Sequence, residues 1–189
     1  MSEPEGPQGE RAQSERARLD EVIGTTLEDR ELEHRRTGEG AYLVSLPGTH
    51  RLATPCWLVV GDHSLLVEAF VMRHADEDRE RLYDFLLQRN SRMYGVAFAL
   101  DRDGDVYLVG RLPLSAVNPE ELDRLLGAVL TYADEIFDQM LQIGFGSSIK
   151  REWAWRVRRG ESLANLRAFA RFADPDRAGG GGGAGDLNH

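Results

Sequence analysis

The chain has 189 residues, 41% hydrophobic and 29% charged, with a formal net charge of −9. That length suits one domain of ordinary size, and the apolar content can build a core, which excludes wholesale disorder. No run approaches the roughly 18 apolar residues of a membrane span, the acidic balance argues against general nucleic-acid binding, and the lone Cys56 excludes an intrachain disulfide and a Cys-based zinc site.

The ends differ from the middle. Residues 1–14 are rich in Pro, Gly, Glu and Gln without apolar periodicity, and they lack the apolar stretch of a signal peptide. Residues 174–189 contain the glycine run Gly179 to Gly183. Both read as disordered tails, because neither can bury enough apolar area to offset chain entropy. A single domain is expected over residues 15–173.

The first expected element is a helix from Ser14 to His34. Leu19, Val22, Ile23, Thr26 and Leu27 fall on one helical face, and Thr37-Gly38-Glu39-Gly40 reads as its stop. Three strands follow, Ala41 to Leu46, Pro55 to Val60 and Leu65 to Met72, the last two flanking the turn-like Gly61-Asp62-His63-Ser64. A second helix is expected from Asp76, where Asp76, Glu77 and Asp78 suit the positive end of the helix dipole, to Asn90-Ser91.

Val96 to Leu100 and Val106 to Leu112 alternate in strand fashion around Asp101-Arg102-Asp103-Gly104-Asp105, a hairpin signal. Asn118 as N-cap, Pro119 in the first turn and Glu121 at capping-box spacing open a third helix. Its apolar face runs from Leu122 to Met140, with Gly144 as the stop. Residues 147–159 fit strand or helix; Ser147 or Ser148 before them and Gly160 after them favour helix. A last amphipathic helix is expected over Glu161 to Ala173. The fold class is therefore α+β: an antiparallel sheet of about five strands flanked by helices, with extra helices at the C-terminal end.

Few residues form a chemical constellation. The Asp101–Asp105 run resembles the front of a calcium loop, but the chain enters a strand where the distal acid should stand. His34, His50, His63, His74 and His189 show no metal spacing. Cys56 sits beside Trp57 without a basic neighbour to activate it, and reads as a small buried thiol. Glu68 interrupts a strand on the side of Leu66, Phe70 and Met72, either as an edge charge that blocks pairing or as the partner of Arg73 or another base. No metal or cofactor is expected.

Charge distribution is more informative. Residues 147–177 carry eight basic against four acidic side chains, so a basic segment follows an acidic body. It could meet an acidic partner or fold back on that body. As a helix, this segment directs Ile149, Trp153 and Val157 inward and Trp155 outward, beside Arg151, Arg158 and Arg159, a composition found at interface hot spots.

Four segments together resemble the actinobacterial branch of the YbjN family: Ala69-Phe70-Val71-Met72-Arg73-His74, Leu86-Leu87-Gln88-Arg89-Asn90, Asp101 to Arg111 (DRDGDVYLVGR) and Phe145 to Arg156 (FGSSIKREWAWR). The resemblance covers about residues 19–172. It implies a type III secretion chaperone-like fold, often dimeric, and a sensory-transduction or stress-linked regulatory role without catalytic residues.

The expected function is thus a cytoplasmic, non-enzymatic, homodimeric protein-binding module that captures a partner polypeptide, by strand addition at a sheet edge or in an apolar groove. The long apolar face of residues 120–143 is a second basis for the dimer. Arg73, Asn90, Arg151, Trp155, Arg156 and Arg159 are the expected partner-facing residues. Alternatives are an enzyme built on Glu68, Asp101, Asp103 and Asp105, or binding of an anionic surface or nucleic acid through residues 147–177.

Overall fold

The computed structural model describes residues 7–160 and Ser162, with side chains from residue 13 onward. The order is α1 (Pro7–Asp29), β1 (Glu33–Gly38), β2 (Ala41–Pro47), β3 (Ala53–Val60), β4 (Ser64–Met72), α2 (Arg79–Asn90), β5 (Val96–Leu100), β6 (Val106–Pro113), α3 (Pro119–Glu135) and α4 (Phe137–Arg159). The six strands form one sheet in the order β1-β2-β3-β4-β6-β5, antiparallel at every pair. The helix expected over Glu161 to Ala173 lies outside the described residues.

The described residues divide into two compact units, 7–74 with 83–137, and 75–82 with 138–160. The first holds the sheet. Strict alternation along β2, β3 and β4 sends Tyr42, Val44, Leu46, Cys56, Leu58, Leu65, Val67 and Ala69 to a fully buried side. Against that side lie Leu19, Ile23 and Leu27 of α1 and Leu122, Leu125, Leu126 and Val129 of α3, all buried. Each such leucine contributes about 1.5–3 kcal/mol by leaving water.

The sixth strand is the main departure from the expected five. α1 does not run to His34: it ends at Asp29, and β1 occupies Glu33–Gly38. The helix closes with a Schellman pattern, Leu32 N–H to Leu27 carbonyl at 3.1 Å and Glu31 N–H to Glu28 carbonyl at 2.9 Å. Glu31, not a glycine, takes the left-handed conformation (φ 53), so the usual stop signal is missing. β1 is polar because it is an outer strand whose side chains are nearly all exposed. Gly40 (φ 63) serves the β1–β2 turn rather than a helix end. At the other end, α1 begins at Pro7, ahead of Ser14, in a run of good helix formers opened by a proline suited to the first turn.

Two helix boundaries also shift. α2 begins at Arg79, after Asp78 (φ 49) has offered its carbonyl to Leu82 N–H. The helix after Asn118 ends at Glu135, and Gly144 lies inside α4 instead of stopping a helix. The Asn118 cap forms as expected, its side chain accepting from Glu121 N–H at 2.9 Å. The apolar face of α3 on which a dimer was expected is spent within the sheet unit, where α3 packs on α1, β2, β3 and β5.

Candidate functional surfaces

A node unseen in the sequence pins α3 to the β2–β3 loop. The buried Asp134 carboxylate accepts three backbone N–H bonds, from Thr49, His50 and Arg51, each 2.9 Å. Burial alone pushes this carboxyl up, but the three donors and nearby His50 outweigh it and hold the group below the usual carboxylate range. Gly48 is required there, since a Cβ would sit 2.4 Å from the Asp134 Oδ1. Arg51 then donates to the Phe70 and Val71 carbonyls at the irregularity of β4, stacked between the Phe70 and Phe137 rings. The sequence signal was Pro47-Gly48 with an aspartate far away, a pairing only the fold makes visible.

Of the acids weighed for catalysis, Asp101 and Asp105 are engaged locally. Asp101 Oδ1 accepts from the N–H groups of Asp103 and Asp105, both 2.9 Å, closing its own hairpin turn. Asp105 accepts from His74 N–H at 2.7 Å. Among the described residues no group of three or more His, Cys, Asp or Glu is placed to hold a metal ion. Cys56 is buried, and burial pushes its thiol up to about 12, so it is protonated at neutral pH.

Glu68 is not an edge charge. β4 is interior, and Glu68 stands between Trp57 of β3 and Val109 of β6. It shares the half-exposed side of the sheet with Leu66 and Phe70, whereas Met72, beyond the irregularity, turns to the buried side. On that side one register row crosses all six strands: Arg35, Leu43, Trp57, Glu68, Val109 and Ala97.

Asn90 clamps α2 to the outer strand β5. Its Nδ2 donates to the Phe98 carbonyl at 3.1 Å and its Oδ1 accepts from Phe98 N–H at 2.7 Å. The amide thus behaves like a neighbouring strand at the middle of β5, and occupies the groups that an added strand would use. Arg73 is exposed just after β4.

The other four expected residues lie together on α4. Arg151, Trp155 and Arg159 follow at i, i+4 and i+8 and are all exposed. The Arg159 guanidinium lies 4.7 Å from the Trp155 ring centroid, and Arg151 donates to Ser148 Oγ at 3.0 Å. Trp155 is 40% exposed. Arg156 points elsewhere, paired with Glu152 at 2.6 Å and donating to the Ser162 carbonyl at 3.3 Å. Ile149 and Trp153 are half-buried, but Val157, expected inward, is 54% exposed. No residue of α4 beyond Phe145 is fully buried, so among the described residues none offers Val157 a buried face.

Segment 75–82 supports α4 at its Gly/Ser-rich middle. Asp76 and Glu77 N–H groups donate to the Gly144 carbonyl at 3.0 and 3.1 Å, and the Glu77 carboxylate accepts from Ser147 N–H. Those Ser147 hydrogen bonds, then the charges of Arg151 and Lys150, hold the Glu77 carboxyl below its ordinary range. This docking coincides with the point where the sequence reads as a helix break.

These features define an α+β protein with a helix-covered antiparallel sheet and a helix that carries an exposed arginine–tryptophan stripe. The chain belongs to the YbjN family, described as "Putative bacterial sensory transduction regulator", whose model matches residues 19–142. Its relatives place it in the actinobacterial branch. An uncharacterized protein of Mycobacterium tuberculosis is 53% identical over 154 residues, covering 79% of this chain and 84% of the relative. One from Mycobacterium leprae is 51% identical over 134 residues, covering 71% and 73%. Similar solved structures include the Yersinia pestis type III secretion chaperone SycH in complex with a fragment of YscM2, at 18% identity and TM-score 0.47 over 61% of this chain and 96% of that one. Another is the ExsC–ExsE complex, at 17% identity and TM-score 0.49 over 64% and 92%. No helix among the described residues is long and apolar enough to cross a membrane.

Proposed function

We propose that this protein is a non-enzymatic protein-binding module of the cytoplasm that captures a partner polypeptide and has a regulatory role. The observation that carries the reading is the exposed Arg151–Trp155–Arg159 stripe of α4, with Arg159 stacked on the indole. An exposed tryptophan held by flanking arginines offers a large rigid contact area with oriented donors, the chemistry of interface anchors. Trp155 is the aromatic anchor; Arg151 and Arg159 supply hydrogen bonds or ion pairs. Arg156, tied to Glu152, shapes the helix end, and exposed Arg73 is a secondary contact. Asn90 acts by holding α2 on β5, which argues for surface docking over strand addition at β5. The membership in a family of sensory-transduction regulators supports the regulatory part.

The test is capture from a cytoplasmic extract with the full chain, followed by rebinding of the purified captured protein. Wild type retains a defined partner, and a variant carrying Trp155→Ala and Arg159→Ala loses it. Equal retention by both overturns the interface. The protein is further proposed to be a homodimer, and a monomer mass by light scattering at tens of micromolar overturns that part.

A further inference from the structure

The half-exposed side of the sheet has a composition at odds with a merely solvated face. Antiparallel sheets that face water on one side normally alternate apolar-in with polar-out. Here the outward positions include Leu43, Pro55, Trp57, Leu66, Phe70, Tyr107 and Val109, none fully buried. Within this unit, α1 and α3 serve the opposite, fully buried side.

At the centre of this apolar side stands one carboxylate. Glu68 has Trp57 directly across on β3 and Val109 directly across on β6, with Leu43 one strand further. Among the described residues Glu68 makes no ion pair or hydrogen bond. Arg111 is its diagonal neighbour on β6 but is not paired with it, and Arg35 stands at the β1 end of the row, three strands away or about 14 Å. Further negative charge lies at the β5–β6 end. The Tyr107 phenol is pushed up first by burial and then by Asp101, Asp105, Glu68 and Asp103, so those four acids share one field around it.

We infer that the Leu43–Trp57–Glu68–Val109 side of the sheet is a second docking surface, and that its occupant is a basic amphipathic helix of a partner protein. Apolar side chains of that helix cover Leu43, Trp57, Leu66 and Val109, and a lysine or arginine on the same helix face pairs with Glu68. Charge selects the occupant: an anion set among apolar groups is stabilised by a cation that arrives with its own apolar surround. The geometry selects a helix, because a helix covers a sheet face without needing free strand edges. This surface is built from none of the α4 stripe residues, and the inference does not rest on the function proposed for them.

The experiment uses the full chain and two fluorescein-labelled designed helical peptides, one of Leu and Lys and one of Leu and Glu, read by fluorescence anisotropy. The Leu/Lys peptide is expected to bind wild type and to bind Glu68→Gln several-fold more weakly. Glu68→Lys should lose at least about tenfold in affinity, roughly 1.4 kcal/mol, and should gain binding of the Leu/Glu peptide. Glu28→Lys, which makes the same change in net charge on exposed α1, should bind as wild type does. Circular dichroism confirms that each variant is folded. Three results overturn the inference: no binding of the Leu/Lys peptide, an equal loss in Glu28→Lys and Glu68→Lys, or loss through Trp155→Ala, which places the peptide on α4. A change of self-association in Glu68→Lys, seen by light scattering, also overturns it by naming a second copy as the occupant. None of these results bears on partner capture by Trp155, which the extract experiment decides separately.

Discussion

α3 and α4 follow one another almost without a gap, yet they are built for different work. α3 opens on a satisfied N-cap and buries Leu122, Leu125, Leu126, Val129, Ala133 and Asp134. α4 is longer, but Met140, Gly144 and Phe145 are its only fully buried residues, and its last turn carries Arg156, Arg158 and Arg159. One helix is a wall of the sheet unit. The other leaves most of its length exposed, in keeping with the docking role proposed for it, and is supported near its middle by Asp76 and Glu77. Length and charge therefore say little about a helix's role, whereas continuity of its apolar face says much.

The largest test of this contrast is truncation inside each helix. Leu122→Ala should lower unfolding free energy by about 2–5 kcal/mol, since a fully buried leucine leaves a cavity. Val157→Ala in α4 should stay within about 0.5 kcal/mol. Urea denaturation of both variants checks this, and equal losses would remove the distinction between the two helices.

Next in size is Asp134→Asn, expected to cost about 1–3 kcal/mol because the three N–H groups of the β2–β3 loop lose a charged acceptor. The sign with pH follows from the depressed carboxyl. Its contribution is complete above the unfolded aspartate value of about 3.9, and is lost as pH falls through the lower folded value. Wild type should therefore lose more stability than the Asn variant on acidification over that window, as read from urea midpoints at a series of pH values.

Asn118→Ala should cost about 1 kcal/mol, the usual worth of an N-cap, and thermal denaturation reads it. The smallest stability effect belongs to Trp155→Ala, within about 0.5 kcal/mol for an exposed side chain. Loss of partner with unchanged stability would sharpen the contrast; a stability loss like that of Leu122→Ala would break it.

The comparison of α3 with α4 also shows where the amino-acid pattern is readable. Asn118-Pro119 and the apolar repeat after it specify α3 through local hydrogen bonding and periodicity, which need no knowledge of neighbours. The β5–β6 hairpin is equally local, because Asp101 ties its own turn. β1 was hidden because an outer strand needs no apolar alternation and because Glu31, a residue that rarely adopts positive φ, ends α1. The α4 stripe was visible as spacing, since residues four apart share a helix face, but the inward place expected for Val157 assumed a packing layer that the described residues do not supply.

By itself, then, the order of residues determined the class of the fold, most strands and helices, and the arginine–tryptophan face of α4, because each rests on interactions within a few residues. Tertiary structure alone decided the rest. It turned Glu68 from an edge guard into the centre of an apolar sheet side, made Asn90 a clamp on β5, and joined Asp134 to a loop more than eighty residues away. Those roles arise from strand order and from chain-distant backbone groups, which pairing and burial set only after the sheet has formed.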